Sequence, residues 1–264
     1  MGFKYCSIAS GSSGNCHYIE TEEKKILIDA GLSGKKIQEG LTSIEVDPKT
    51  LDAIFVTHEH SDHIKGVGIL SRRFDLPIYA NEGTWEAMRD GLGKIKEENI
   101  KIFKTNEYMQ LGDLKIHPFD IYHDAKEPVG YSLYFKDKKV SVVTDTGHIC
   151  DNIKTSVKDS NLFVIESNHD VNMLRMGSYP WLLKKRVESD FGHLSNETAG
   201  HFIAELCNKK NEIVLLGHLS RENNFPELAM KTVENILLEN QIIKGKDIQL
   251  EMANRDTPTK VFEL

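Results

Sequence analysis

The feature that most constrains this chain is a cluster of histidines and acids that comes directly after an apolar strand. Residues 51–57 (Leu-Asp-Ala-Ile-Phe-Val-Thr) have the pattern of a short buried strand. The next six residues are His58-Glu59-His60-Ser61-Asp62-His63. A surface loop that happens to be rich in histidine is the alternative. With only 11 histidines in 264 residues, however, three within six positions are not expected by chance. Imidazole and carboxylate groups together suit zinc, manganese or iron, so we infer a metal site.

The spacing within this run indicates which of its side chains can face the same metal ion. Residues two apart in an extended segment project to the same side, so His58 and His60 can face one ion together. Asp62 and His63 then turn towards a neighbouring position. Calcium is disfavoured because it prefers a set of oxygen ligands alone.

Three further polar residues stand at the ends of predicted strands. His123 follows a strand over 114–119, Asp145 follows one over 139–144, and His218 follows one over 212–217. Each of them alone could equally be a turn or capping residue. Together with the first run they make a set of seven candidate metal ligands: His58, His60, Asp62, His63, His123, Asp145 and His218.

The rest of the chain reads as strands and amphipathic helices in two rough halves. Predicted strands cover 25–29, 77–80, 100–103, 130–135 and 162–166, and a hairpin turn falls at 136–138. Predicted helices begin at Ser33 and near residue 84, and cover 64–74, 179–189, 195–209 and 226–243. This pattern favours sheet packed on sheet with helices outside. Without a repeat or linker, we expect residues 1–264 to form a single domain.

The ligand order, after a segment ending in Ile28-Asp29-Ala30-Gly31, resembles the metallo-β-lactamase superfamily over almost the whole chain. The resemblance implies an α/β fold, the αββα four-layer sandwich, with the site along the edge where the two sheets meet. It implies two divalent metal ions, zinc or manganese with iron also open. One ion would be held by His58, His60 and His123, the other by Asp62, His63 and His218, and Asp145 would bridge them.

Such a pair of ions would activate a shared hydroxide and neutralise charge on a phosphoryl group, with Asp62 orienting or deprotonating the water. Histidine ligands also need acceptors for their second ring nitrogen, and Asp29, Thr57 and Asp124 are candidates, although each could equally be a turn or strand-end residue. The zinc β-lactamases usually carry cysteine in place of the bridging aspartate, so lactam hydrolysis is disfavoured.

Two motifs further along the chain indicate which branch of the superfamily this chain resembles. Glu166-Ser167-Asn168-His169-Asp170 and Gly192-His193-Leu194-Ser195 precede Gly217-His218-Leu219-Ser220. This order is similar to the tRNA-processing endonucleases of the superfamily, which implies that Glu166 and His193 form a proton relay for the leaving group. The alternative is a strand-end carboxylate and a histidine at a helix N-terminus.

Over the full length the chain resembles the WalJ/YycJ-like branch, small bacterial proteins associated with DNA exonuclease activity. The shared pieces also include Ser10-Gly11-Ser12-Ser13-Gly14-Asn15. An aromatic residue is expected where His17 stands. Only 73 positions (218 − 145) separate Asp145 from His218, which leaves no room for a large insert that clamps nucleic acid. Basic and aromatic candidates for contact with DNA are Arg72, Arg73, Arg175, Tyr179, Trp181, Lys184, Lys185, Arg186 and Arg221.

We therefore expect a metal-dependent phosphodiesterase acting on nucleic acid, and specifically a DNA exonuclease. A lactonase or thioesterase with the same site is the first alternative, and a regulatory or binding protein whose metal site is only structural is the second. Catalytic roles are expected for Asp62, Glu166 and His193. DNA or RNA as substrate, strand polarity, endo- or exonucleolytic action and oligomeric state stay open at this point.

Composition and charge indicate the cellular compartment and argue against some classes of protein. The net charge of −7 argues against a protein that coats nucleic acid, but not against a nuclease. Four scattered cysteines without a CxxC pair predict reduced thiols, and no apolar stretch reaches the ~20 residues of a membrane span. We expect a cytoplasmic protein.

Overall fold

The computed structural model describes residues 2–264, which form two seven-stranded sheets with helices on their outer faces. The strands are β1 Lys4–Ala9, β2 Cys16–Glu20, β3 Lys25–Ile28, β4 Ala53–Phe55, β5 Ile78–Ala80, β6 Ile100–Ile102, β7 Met109–Leu111, β8 Leu114–Asp120, β9 Val129–Phe135, β10 Lys138–Val143, β11 Leu162–Glu166, β12 Glu212–Gly217, β13 Ile248–Met252 and β14 Phe262–Glu263. The helices are α1 Gly34–Ser43, α2 Ser61–Ile64, α3 Val67–Phe74, α4 Glu82–Met88, α5 Asp151–Val157, α6 Val171–Met176, α7 Trp181–Val187, α8 Asn196–Leu206 and α9 Pro226–Glu239.

Both sheets are mixed, and their strands lie in chain order except that β14 pairs with β1 at one edge of the first sheet. The first has the order β14-β1-β2-β3-β4-β5-β6 and the second β13-β12-β11-β10-β9-β8-β7. Pairing is antiparallel from β14 to β3 and from β7 to β10, and parallel from β3 to β6 and from β10 to β13. Parallel neighbours end at the same edge, so residues that follow these strands are brought together.

Three apolar layers stabilise the arrangement. The layer between the sheets joins residues such as Phe55 of β4 and Tyr131 of β9, whose rings lie edge to face 5.9 Å apart. A second layer packs α1, α3 and α4 on the first sheet, and a third packs α5, α8 and α9 on the second. The order of layers is helix, sheet, sheet, helix. This confirms the αββα sandwich.

Local signals account for the elements that the sequence predicts well. Ser33 caps α1 by accepting the amide of Lys36, and Ser195 caps α8 by accepting the amide of Thr198. Strands β11 and β12 have the predicted bounds. The predicted strand over 51–57 is shorter, because β4 ends at Phe55 and the chain then turns into the ligand run.

Several short elements were not predicted from the sequence, among them β2, β7, β13, β14, α5 and α6. Strands β7, β13 and β14 lie at sheet edges, where pairing with a neighbour supplies the order that a short sequence lacks. Within residues 2–264, no helix combines the length and apolar character needed to cross a bilayer.

Candidate metal centre

The ends of β4 and β8 bring three imidazoles together. His58 and His60 follow β4, and His60 stands at the N-terminus of α2. His60 Nδ1 lies 3.1 Å from His58 Nε2 and 3.2 Å from His123 Nε2. Tetrahedral zinc with bonds of about 2.0–2.1 Å places its nitrogen ligands about 3.3 Å apart. The three nitrogens therefore fit a single divalent ion.

A second group lies beside the first and contains Asp62, His63 and His218. Asp62 Oδ2 is 3.6 Å from His63 Nε2 and 3.7 Å from His218 Nε2. Both imidazoles are buried, and Asp62 is partly exposed. This nitrogen and oxygen donor set again suits zinc or manganese rather than calcium.

Asp145 lies between the two groups. Its Oδ2 is 3.3 Å from His63 Nε2, and its Oδ1 is 3.4 Å from His218 Nε2 and 3.7 Å from His123 Nε2. Asp145 Oδ2 and His218 Nε2 are buried, yet neither makes a hydrogen bond. Buried polar atoms are rarely left without a partner, so these two atoms fit ligands that await a cation. The structure thus brings together all seven sequence-predicted ligands.

The other ring nitrogen of each buried histidine faces an acceptor. His63 Nδ1 is 2.7 Å from Asp29 Oδ2, and His123 Nδ1 is 3.3 Å from the carbonyl oxygen of Gly192. His58 Nδ1 is 3.0 Å from Thr57 Oγ1. Such contacts orient an imidazole so that its opposite nitrogen is free to bind a metal.

Asp29 and Thr57 act as one unit behind the ligands. Asp29 accepts hydrogen bonds from the Thr57 amide and hydroxyl, both at 2.8 Å. Asp124, the third residue predicted for this role, instead accepts a hydrogen bond from Arg186 Nε. Asp124 Oδ1 comes no nearer than 4.0 Å to His60 Nε2.

The structure also places Glu166 and His193 together at the centre. Glu166 is the last residue of β11 and is fully buried. Its Oε2 lies 3.0 Å from His193 Nδ1 and 3.2 Å from His218 Nδ1, so one carboxylate orients both a predicted ligand and the predicted proton donor. Its Oε1 accepts the amides of Thr146 and Leu194.

Charge in the centre is arranged for cations. Burial opposes ionisation of Asp145, but the imidazoles of His218 and His63 outweigh burial and hold the pKa of Asp145 well below its ordinary value. Conversely, burial would lower the pKa of His218, but Asp145, Asp62 and Glu166 raise that pKa to about 10. Protons on imidazoles thus balance the carboxylates, and a divalent cation would take over that role as it displaced them.

Two of the predicted ligands have unusual backbone conformations. Asp145 and His218 have φ values of 60° and 52°, as does Asp29 behind them at 60°. Non-glycine residues seldom adopt this left-handed region, and they are concentrated at functional sites. Each stands where the chain leaves a strand, so the sharp turn directs the side chain into the centre.

The glycine-rich turn after β1 contacts the centre in a way that the sequence did not predict. Ser10 Oγ accepts the amide of His218 at 2.9 Å. Asn15 Nδ2 lies 3.0 Å from His63 Nε2 and 3.5 Å from Asp62 Oδ2. The only signal in the sequence was the Ser10–Asn15 motif itself, which carried no indication of its partners.

Of the basic candidates, Arg186 lines the pocket that also contains His193. Its pairing with Asp124 raises the pKa of the guanidinium. Arg72 donates to the carbonyl oxygen of Leu92, and Arg175 pairs with Glu188. Trp181 is exposed on α7, with Lys185 Nζ 5.1 Å from its ring.

Comparisons with known proteins agree with this geometry. The model of the metallo-beta-lactamase superfamily matches residues 9–218. The chain is 43% identical over 261 residues to the exodeoxyribonuclease YycJ of Bacillus anthracis, covering 99% of each chain. It is 45% identical over 266 residues to the exodeoxyribonuclease WalJ of Streptococcus pneumoniae, covering 100% of this chain and 99% of the relative.

Solved structures bear on the fold alone. The metallo-beta-lactamase fold protein YhfI from Bacillus subtilis superposes with a TM-score of 0.74 at 17% identity, covering 98% of this chain and 100% of the other. A fold shared at such low identity leaves substrate undecided. On the family match and on two full-length relatives above 40% identity, this chain belongs to the metallo-β-lactamase superfamily, in the branch that contains YycJ and WalJ.

Proposed function

We propose that this protein is a metal-dependent phosphodiesterase that acts on DNA as an exonuclease. The observation that carries the proposal is the convergence of seven metal-ligand candidates with the Glu166–His193 pair at one sheet edge. The exodeoxyribonucleases YycJ and WalJ, similar over the full length, support DNA as the substrate. The same seven residues would hold two divalent ions, zinc or manganese, with Asp145 between them.

When bound, such ions supply Lewis acidity towards a phosphoryl oxygen and an activated water. Asp62 is partly exposed, and although burial acts to raise its pKa, the adjacent imidazoles of His218 and His63 hold that pKa below the ordinary value. It is therefore ionised at neutral pH and can orient the attacking water or accept its proton.

His193 is the candidate proton donor to the leaving oxygen. Its Nδ1 is held by Glu166, so Nε2 is left to carry a proton on the partly exposed side of the ring. Burial would raise the pKa of Glu166, but His193 and His218 lower it to about 2. Glu166 thus stays ionised and serves to position His193 rather than to donate a proton.

The surroundings of the centre favour this function over a lactonase or thioesterase. Such enzymes would call for a narrow apolar pocket over the metals. The pocket beside His193, of about 150 Å³, is lined mainly by polar side chains. A larger depression of about 670 Å³ borders the ligand run at Glu59 and Ser61 and includes Lys65 and Arg72, which suits a charged strand.

The test is a substrate panel with protein loaded with zinc or manganese in turn. Single- and double-stranded DNA and RNA, each labelled at the 5′ or the 3′ end, are followed over time. We expect mononucleotides to be released progressively from one end of DNA. If DNA stays intact with every metal, the proposal is wrong.

The variant Asp62→Asn tests the catalytic role of Asp62. It keeps the shape of the side chain, so we expect an unchanged thermal unfolding midpoint and a fall in DNA hydrolysis of about 100-fold or more. Asp90→Asn, at an exposed position, is the control and should degrade DNA like the parent protein. A fully active Asp62→Asn protein would leave the catalytic assignment without support.

Two broader parts of the proposal rest on supporting observations. We take residues 1–264 as one domain without a large clamping insert, since the described elements belong to two sheets and their flanking helices.

We also place the protein in the cytoplasm, where thiols stay reduced. All four cysteines are free, which agrees with that compartment.

A further inference from the structure

A small pocket adjoins the metal centre on the side of His193. It has a volume of about 150 Å³ and contacts the centre through His193 and Asp124. Pockets for drug-sized ligands have volumes of about 300–1,000 Å³, so the occupant here is a smaller group. The lining residues are Ser12, Asp124, Asn168, Tyr179, Leu183, Arg186, Val187, Gly192, His193, Ser220 and Asn223.

Asn223 distinguishes this pocket from a surface dimple. Its side chain lines the pocket and is 1% exposed, yet neither Nδ2 nor Oδ1 makes a hydrogen bond. The neighbouring Asn224 is similarly buried but fully engaged, since its Nδ2 donates to the carbonyl oxygens of Ser167 and Asn168. A buried amide with both groups unpaired costs free energy, which a bound ligand would recover.

The chemistry of the lining points to a nucleobase rather than to a phosphate. An amide offers a donor and an acceptor side by side, which matches the edge of a base, whereas a phosphate mainly accepts. The one guanidinium in the lining, that of Arg186, already donates to Asp124. Tyr179 is partly exposed and presents an aromatic ring, on which a base of any type can stack.

We propose that this pocket receives the base of the terminal nucleotide of the DNA strand. Asn223 would hydrogen-bond the edge of the base and Tyr179 would stack on its face, which directs the adjoining phosphodiester towards His193 and the metal ligands. Because an amide can rotate to suit different edges, recognition would hold the end of a strand without a strict choice of base. The inference rests on the proposed function and adds to it a positioning site.

The test compares DNA ends with and without a base. Two DNA oligonucleotides, single- or double-stranded according to the form that the enzyme degrades, differ only in whether the terminal nucleotide at the attacked end carries adenine or is abasic. For the parent protein we expect kcat/KM to fall about ten-fold when the base is removed. For Asn223→Leu the fall should be clearly smaller than ten-fold, because the hydrogen bonds to the edge of the base are gone while Tyr179 can still stack on its face.

Tyr179→Leu is the second variant, since it changes a partly exposed side chain and does not depend on tolerance of the buried Asn223 position. It too should reduce the dependence on the base. Tyr108→Leu removes a ring that does not line the pocket and should keep the full ten-fold dependence. Each comparison is a ratio within one protein, so a general loss of activity does not imitate the effect.

The outcomes separate the two proposals. If the parent protein degrades neither oligonucleotide, the proposed function fails. If it degrades both equally well, or if Asn223→Leu and Tyr179→Leu keep the full dependence on the base, the exonuclease stands and the base pocket is wrong. Binding gives an independent measure: the metal-loaded parent should bind deoxyadenosine 5′-monophosphate about ten-fold more tightly than deoxyribose 5-phosphate, and each variant should show a smaller preference.

Discussion

Glu166 is the residue at which the metal ligands and the proposed proton donor meet. One of its oxygens serves His193 and His218 together, and the other is held by the amides of Thr146 and Leu194. A fully buried carboxylate is costly unless such partners surround it. Its position therefore ties the orientation of the proposed proton donor to that of a candidate ligand.

His193→Ala tests proton donation at this position. We expect hydrolysis of DNA, whose alkoxide leaving group needs a proton, to slow about 10²–10⁴-fold. Hydrolysis of bis(p-nitrophenyl) phosphate, whose nitrophenolate departs without one, should slow far less. Steady-state kcat on both substrates measures the difference, with His201→Ala at an exposed position of α8 as the control. Equal losses on both substrates would rule out proton donation by His193.

Gly31 shows how closely the backbone approaches the ligand run. A Cβ atom at this position would lie 1.6 Å from the carbonyl oxygen of Asp62, whereas one at Gly91 would meet nothing within 4 Å. We expect Gly31→Ala to lower the free energy of unfolding by about 1–3 kcal/mol and to weaken metal binding. Gly91→Ala should change stability by no more than about 0.5 kcal/mol.

Chemical denaturation and metal titration of these two glycine variants provide the measurement. Metal affinity and stability of Gly31→Ala that match those of Gly91→Ala would show that the loop can move aside at no cost. In that case the ligand run would not be held by the close approach of Gly31.

At the scale of elements, buried asparagines lock together the loops that carry the second half of the centre. Asn224 Nδ2 donates to the carbonyl oxygens of Ser167 and Asn168 and lies 2.8 Å from Asn196 Oδ1. Asn168 Nδ2 in turn donates to the carbonyl oxygen of His218. The loops after β11 and β12 and the start of α8 are thereby joined, which sets the relative positions of Glu166, His193 and His218.

Asn224→Ala removes the centre of this network. It leaves the buried carbonyl oxygen of Ser167 without a donor, so we expect the free energy of unfolding to fall by about 1–3 kcal/mol and DNA hydrolysis to fall with it. Asn208→Ala removes an exposed amide that donates only to Asp159 and should change little. Denaturant unfolding and exonuclease assays of both variants measure the contrast. Comparable stability of the two proteins would mean that packing alone holds the loops.

At the scale of the molecule, the interior beneath the metal centre makes stability depend on pH. His17 of β2 is fully buried, with Nδ1 2.7 Å from the hydroxyl of Tyr5. Burial, with a smaller contribution from His63, lowers the pKa of His17 to about 3 from an ordinary value of 6.5. Between pH 6.5 and about 3 the unfolded chain therefore binds more protons here than the folded chain. The stability that His17 contributes is full above pH 6.5 and is lost as the pH falls.

In the variant His17→Phe, the free energy of unfolding should fall less steeply as the pH is lowered below 6.5. A single group of this kind changes the free energy of unfolding by at most about 1.4 kcal/mol per pH unit. Tyr5→Phe, which breaks the same hydrogen bond but keeps the imidazole, is the matched control and should retain the slope. Urea unfolding at several pH values from 4 to 7, with chelator present, measures the three proteins. Parallel slopes for His17→Phe and the parent would show that His17 does not couple stability to pH.

Prediction from sequence succeeded where the signal was local. The apolar runs of β11 and β12 and the serine caps of α1 and α8 depend on neighbours within a few residues. The edge strands β13 and β14 were missed because their order comes from pairing with strands distant in the sequence, and β7 because it has only three residues. Likewise, Asp124 was predicted to orient a histidine but pairs with Arg186, 62 positions away.

By itself the sequence determined the family, the layered fold and the set of candidate ligands, because strand patterns and the spacing of His58 to His63 are short-range properties. Only the tertiary structure decided which groups surround those ligands. Ser10 supports His218 across 208 positions, and Asn15 reaches His63 across 48. The unpaired amide of Asn223 likewise comes to line the same pocket as Tyr179 only through tertiary packing. Such contacts leave no periodic trace in the chain, since the packing of the two sheets creates them.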